Sequence, residues 1–132
     1  MFESIGITGS GMRVHRSWMD AISDNIANVN TVRGTNDDPF RSRYVIAQAL
    51  ENGSTGAGVQ EAGIELSKNT SKIVYDPDHP LADENGYVQM ADVDLGEQMT
   101  TMIMAQRGYQ ANISALDRAK AAYQAAIQMG RG

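Results

Sequence analysis

Apolar residues recur along residues 1–30 at alternating intervals of three and four: Ile5, Thr8, Met12, His15, Met19, Ile22, Ile26 and Val29. That spacing is a heptad seam, the pattern of an α-helix that packs along another helix. Gly6, Gly9 and Gly11 weaken its start, each costing up to ~1 kcal/mol relative to Ala in a helix. The pattern therefore predicts a helix from about Ser10 to Asn28, preceded by a tail that orders only on contact. Asn28-Val29-Asn30-Thr31 is the expected stop, because Asn tolerates the left-handed conformation at a helix end.

The same spacing returns at the other end of the chain. Asp94-Leu-Gly-Glu97 resembles a capping box. From there Met99, Met102, Gln106, Tyr109, Ile113, Leu116, Lys120, Tyr123 and Ile127 lead to a stop at Gly130. Beside this bulky series runs a smooth one, Ala105, Gly108, Asn112, Ala115, Ala119, Ala122 and Ala126, displaced by roughly 100° around the helix. A smooth face lets a second helix approach to the short end of the ~8–10 Å interaxial range. A helix over 94–129 is about 54 Å long, whereas a compact domain of this size has a radius of gyration near ~14 Å. Such a helix needs partners. The N-terminal helix is one, in an antiparallel or crossed coiled coil, and the smooth face is expected to meet other chains.

Between the helices the period drops to two. Residues 40–46, 59–66, 72–75 and 87–90 read as short strands, Gly53-Ser-Thr-Gly-Ala-Gly58 as a flexible connector, and Asn85-Gly86 as a turn. Pro77 and Pro80 stiffen the loop Asp76-Pro-Asp-His-Pro80. The predicted fold is α+β and mainly α: an N-terminal helix in 1–30, a small β-rich insert in 31–92, and a long C-terminal helix in 93–132.

Composition sharpens this picture. Leu, Ile, Val and Phe together make only 25 of the 132 residues, a lean supply of core formers. Sixteen Ala and eight Met make up part of the missing apolar volume. The net charge is −5, and the excess acid lies in 31–92, which carries ten acids against five bases, while both ends are near neutral. No basic stripe interleaved with aromatics marks a nucleic-acid surface. No run approaches the ~20 apolar residues of a membrane span. The absence of cysteine excludes a disulfide framework, a thiolate nucleophile and a Cys-based zinc site. Met1-Phe-Glu-Ser-Ile-Gly lacks the basic and apolar regions of a cleavable secretory signal.

The most enzyme-like cluster is Asp76, Asp78, His79, Asp83 and Glu84, whose carboxylates and imidazole suit a metal or a general acid–base pair. The competing reading is a charged loop between two strands, and the spacing does not match a Ca²⁺ loop. A metal-dependent hydrolase using Asp76, Asp78 and His79 is thus the alternative from another class. Gly9-Ser-Gly11 has no preceding strand and no third glycine, so it is not a dinucleotide fingerprint. The methionines at 99, 102 and 104 read as packing material. The residues support an interaction protein with no catalytic constellation and no cofactor.

Two stretches carry a resemblance. Asp24-Asn-Ile-Ala-Asn-Val-Asn-Thr31 followed by Pro39-Phe-Arg41 resembles the N-terminal signature of bacterial flagellar axial proteins, the rod and hook families. Val74-Tyr-Asp-Pro-Asp-His-Pro-Leu-Ala-Asp-Glu-Asn-Gly-Tyr-Val88, Val93-Asp-Leu95 and Arg107-Gly-Tyr-Gln-Ala-Asn112 resemble the proximal-rod members. The chain departs from the family pattern at Asp24, at Asp37-Asp38 and at Ala91. The resemblance implies a non-enzymatic subunit of the basal-body rod, the periplasm-crossing drive shaft around the export channel, with another flagellar rod or hook-family axial protein as the alternative. Its implied partners are copies of itself, other rod proteins, membrane-ring and export-gate adaptor proteins at the rod base, and the flagellar type III export apparatus. By the same resemblance Asn25, Asn28 and Asn30 become helix-end and interhelix contacts, matched on the C-terminal helix by Arg107, Tyr109, Gln110 and Asn112.

Overall fold

The computed structural model describes residues 2–53, 55–68 and 71–131. In chain order it contains α1 (Phe2–Ala27), β1 (Val32–Arg33), β2 (Arg43–Asn52), β3 (Thr55–Leu66), β4 (Lys72–Tyr75), β5 (Tyr87–Met90) and α2 (Leu95–Met129). Two long helices pack together and small antiparallel sheets lie between them in sequence, the α+β, mainly α arrangement that the periodicities predict.

Helix α1 begins at Phe2, well before the predicted start near Ser10, so the glycine-rich segment is helix and not a tail. At Gly11 close packing offsets the helix cost of the glycine. A Cβ on Gly11 would meet the Asn112 side chain at 2.8 Å, so the missing side chain is what lets α2 approach. Ser10 is buried; its hydroxyl donates to Ile7 O at 2.6 Å and accepts the Val59 N–H of β3 at 3.0 Å. The end of α1 also differs from expectation. No described non-glycine residue has positive φ, so Asn28 and Asn30 do not close the helix in the left-handed region. Tighter turns end it, with Asn28 N–H donating to Asn25 O and Val29 N–H to Ile26 O, both at 3.2 Å. Asn28 Nδ2 donates back to Asp24 O at 2.8 Å and its Oδ1 accepts from Thr31 Oγ1 at 3.0 Å.

Helix α2 starts where its cap predicts. Asp94 is extended and its carboxylate accepts the Glu97 N–H at 2.9 Å, satisfying one of the free donors of the first turn. The helix ends at Met129, ahead of Gly130.

Strands β1, β5 and β4 form one antiparallel sheet in that order, and β2 pairs with β3 in a separate two-stranded ribbon. The predicted flexible connector from Gly53 to Gly58 is mostly strand: β3 begins at Thr55 and pairs with Asn52. Glycines at 56 and 58 obscured this from the sequence, because they break the alternation on which a strand is read. The three-stranded sheet closes the loop between the helices, with the Ala91 N–H donating to Thr31 O at 3.0 Å. Gly86 (φ 80°) turns the chain into β5; a Cβ there would meet the Tyr75 ring at 2.9 Å and Pro77 at 3.0 Å.

The apolar core is small. Its buried members are Ala21 and Ile22 of α1, Val88 of β5, Ala91 and Val93 of the following link, and Ala105 of α2.

Candidate functional site

Helices α1 and α2 run antiparallel, and three pairs of residues fix their alignment. Gly11 stands against Asn112, His15 against Gly108, and Asn25 against Gln98. Each step along α1 toward its C-terminus is matched by an equal step along α2 toward its N-terminus. The start of α1 therefore faces about residue 121 of α2, and α2 continues roughly 12 Å beyond it.

The smooth series is the surface that makes this approach possible. Ala105 is completely buried, the His15 imidazole lies in the space where Gly108 would carry a Cβ, and Asn112 fills the space over Gly11. His15 Nδ1 donates to Gly11 O at 2.8 Å, and Asn112 Nδ2 donates to Gly108 O at 3.0 Å, so both polar side chains are satisfied within their own helices. Ala115 and Ala119 continue the face half-buried, while Ala122 and Ala126 on the overhang are exposed. This corrects the expectation that the smooth face is kept for other chains: inside the subunit it meets α1, because only small side chains let the helices come this close. The bulky series divides. Met12, Met19, Ile26, Met102, Tyr109, Leu116 and Tyr123 are half-buried and Ile22 is buried, whereas Met99 (55% exposed), Ile113 and Ile127 are exposed.

At the sheet end of the helix pair lies a buried polar junction. Asn25 Nδ2 donates to Gln98 Oε1 at 2.9 Å and to Arg43 O at 3.0 Å, and Asn25 Oδ1 accepts the Arg43 N–H at 2.8 Å. One amide thus joins α1, α2 and the first residue of β2. The exposed Arg43 guanidinium meets Asp24 at 2.9 Å outside it. Asn25 and Asn112 are the family-motif residues that the structure brings onto the helix interface; Asn30, Arg107 and Gln110 are exposed. Sequence reading missed Gln98 and Arg43. Gln98 lies one heptad before Ala105, so extending the smooth series backwards by seven would have found it.

Beside this junction the outer flank of α2 carries Leu95, Met99 and Ile103 at successive four-residue intervals, with Ile113 farther along, all exposed. Four-residue spacing places such side chains in one row along a helix.

The acidic loop is occupied with holding itself. Asp83 Oδ1 accepts the N–H groups of Asn85 and Tyr87, both at 2.9 Å, and its Oδ2 accepts from Thr35 Oγ1 at 3.2 Å. The Tyr87 bond is the main cause that holds the Asp83 carboxyl below the ordinary carboxylate value; burial opposes it, and the bonds of Asn85, Thr35 and Gly86 add to it. His79 Nδ1 accepts the Leu81 N–H at 3.1 Å. Asp76, Asp78 and His79 do not converge: among the described residues no group of three or more His, Cys, Asp or Glu is placed to hold a metal ion. Lys72 and Asp92 pair at 2.9 Å, and the Asp92 hydrogen bond and charge raise the Lys72 ammonium above its ordinary value. No described helix is long and apolar enough to cross a membrane.

Comparison with known proteins fits this arrangement of paired terminal helices around a small insert. A family model described as the flagellar basal body rod FlgEFG protein C-terminal region matches residues 84–129, which are β5, its flanks and α2. The chain is 34% identical to the flagellar basal-body rod protein FlgC of Borreliella burgdorferi, over all of this chain and 99% of that protein. The chain belongs to the FlgC family of flagellar basal-body rod proteins. The FlgC of Salmonella typhimurium is also 34% identical, over 95% of this chain and 94% of its own length. The FlgC of Bacillus subtilis is 30% identical over 98% of both. The matched length is at least 95% of this chain in each of these three relatives.

Proposed function

We propose that this chain, a structural subunit of the flagellar basal-body rod by its family, builds the proximal part of that rod and assembles helically with copies of itself and with other rod proteins. In this reading the rod crosses the periplasm, transmits torque and surrounds the export channel, and its base meets membrane-ring and export-gate adaptor proteins. The subunit reaches its place through the flagellar type III apparatus without a cleaved signal. It acts through surfaces and not through catalysis.

The observation that carries the proposal is the apolar surface that the chain leaves bare along α2. Leu95, Met99, Ile103 and Ile113 are 43%, 55%, 51% and 37% exposed, and Ile127 and Met129 lie on the overhang beyond α1. Contiguous exposed apolar surface on a soluble chain marks an interaction site. An open-ended helical assembly needs such unlike surfaces on one subunit. The proposed subunit contacts are therefore the outer flank of α2 and its overhang, with Arg107 and Gln110 as polar neighbours.

Replacing Met99 and Ile103 together by Lys tests this. The expected result is an unchanged helical spectrum and melting temperature for the isolated chain, with loss of rod incorporation and of swimming in a strain lacking the native protein. Normal basal bodies with the double variant would refute the proposed contact.

A further inference from the structure

The β2–β3 ribbon is held unevenly. At its base Asn25 grips the Arg43 backbone from both sides, Arg41 Nε donates to Ser67 O at 2.7 Å, and the Ser67 N–H donates to Ser42 O at 2.8 Å. Farther along, Ser10 of α1 accepts the Val59 N–H beside Gly58. The close approach there needs a glycine: Gly58 has φ 122°, and a Cβ on it would meet Ser10 Oγ at 2.5 Å. Grooves of about 360 and 140 Å³ run where ribbon and helix meet, lined by Arg13, Ser17 and Asp20 of α1 and by Leu50, Glu61 and Ile64 of the ribbon. Among the described residues of β2 and β3, none is buried. A two-stranded ribbon without a buried face is marginally stable on its own, and segments with few buried apolar contacts and exposed backbone bonds are those that open locally.

We propose that the β2–β3 ribbon is a strap, anchored at its base by Asn25 and Arg41 and latched to α1 through Ser10, that opens as one unit while the helix pair stays closed. Opening uncovers the α1 face of Ser10, Ser17 and Ala21. The device is a property of the single chain and stands or falls independently of the rod assignment.

Amide hydrogen exchange followed by mass spectrometry on the full chain tests it, comparing wild type with Ser10→Ala and with Gly58→Ala. The first variant removes the hydroxyl, and the second keeps it but blocks the approach. Both are expected to speed exchange across residues 44–66 as a block, by about three- to tenfold for one lost hydrogen bond, with the helix centres around Ile22 and Ala105 unchanged. Faster exchange confined to the immediate neighbours of Val59 would overturn the strap, as would equal acceleration in both helices, since either means the ribbon does not move as a unit of its own.

Discussion

His15 and Gly108 make one contact in which the size of a single side chain decides whether two helices meet. A methyl group on Gly108 would occupy the imidazole's position, and overpacking of this kind costs about 1–3 kcal/mol. Gly108→Ala is therefore expected to lower the melting temperature, and adding His15→Ala should recover part of the loss, so that the two changes are not additive in a double-mutant cycle. Asn25 carries a different burden. With 0% exposure and three hydrogen bonds, its replacement by Ala strands the Arg43 backbone and Gln98. Each unsatisfied buried group costs ~1–3 kcal/mol, so urea unfolding should show Asn25→Ala to be more damaging than Asn30→Ala at an exposed site. Asp83 makes an acid-sensitive loop. Its folded value lies below its unfolded one, near 3.8, so its contribution is complete above that pH and is lost as pH falls through the lower folded value. Amide resonances of Asn85 and Tyr87 are expected to shift together in that acid range in the wild type, and Asp83→Asn should abolish the transition.

At the level of elements, what the sequence made legible was what local chemistry decides. Asp94 caps α2 because a carboxylate there satisfies a free N–H, and the strands at 72–75 and 87–90 follow from alternation and the turn at Gly86. What local chemistry does not decide was misread. The start of α1 looks costly by glycine content, yet Gly11 is the point at which Asn112 enters, so packing outweighs propensity. The same holds for β3, where glycines at 56 and 58 hid the first four residues of a strand read only from Val59. The face of α2 that meets α1 was also assigned to the wrong partner. A bulky seam and a smooth one are both helical patterns, and only the depth of approach, set by His15 over Gly108, distinguishes them. The overhang of α2 gives a prediction at this scale. Ending the chain after Gln124 keeps the half-buried Tyr123 and removes a segment whose described residues are exposed, so the truncated monomer should keep its melting temperature within about 2 °C, while rod incorporation is lost. A large drop in monomer stability would show that the overhang folds back onto its own chain.

The whole molecule has a small core and a long, partly bare helix. Its buried apolar residues are few, whereas Leu, Ile and Met side chains along α2 remain exposed. The lean apolar composition is consistent with that division: the chain spends few large side chains inside itself and presents several outside. A rod subunit is expected to bury this flank between chains, at more than the ~800 Å² per partner of an ordinary interface. The most direct measurement is a cryo-electron-microscopy map of the intact basal body with this chain traced. The account requires the chain in the rod, α1 and α2 paired with Asn25 against Gln98, and Leu95, Met99 and Ile103 covered by neighbouring subunits. A map in which that flank faces solvent, or in which the rod is built without this chain, would contradict it.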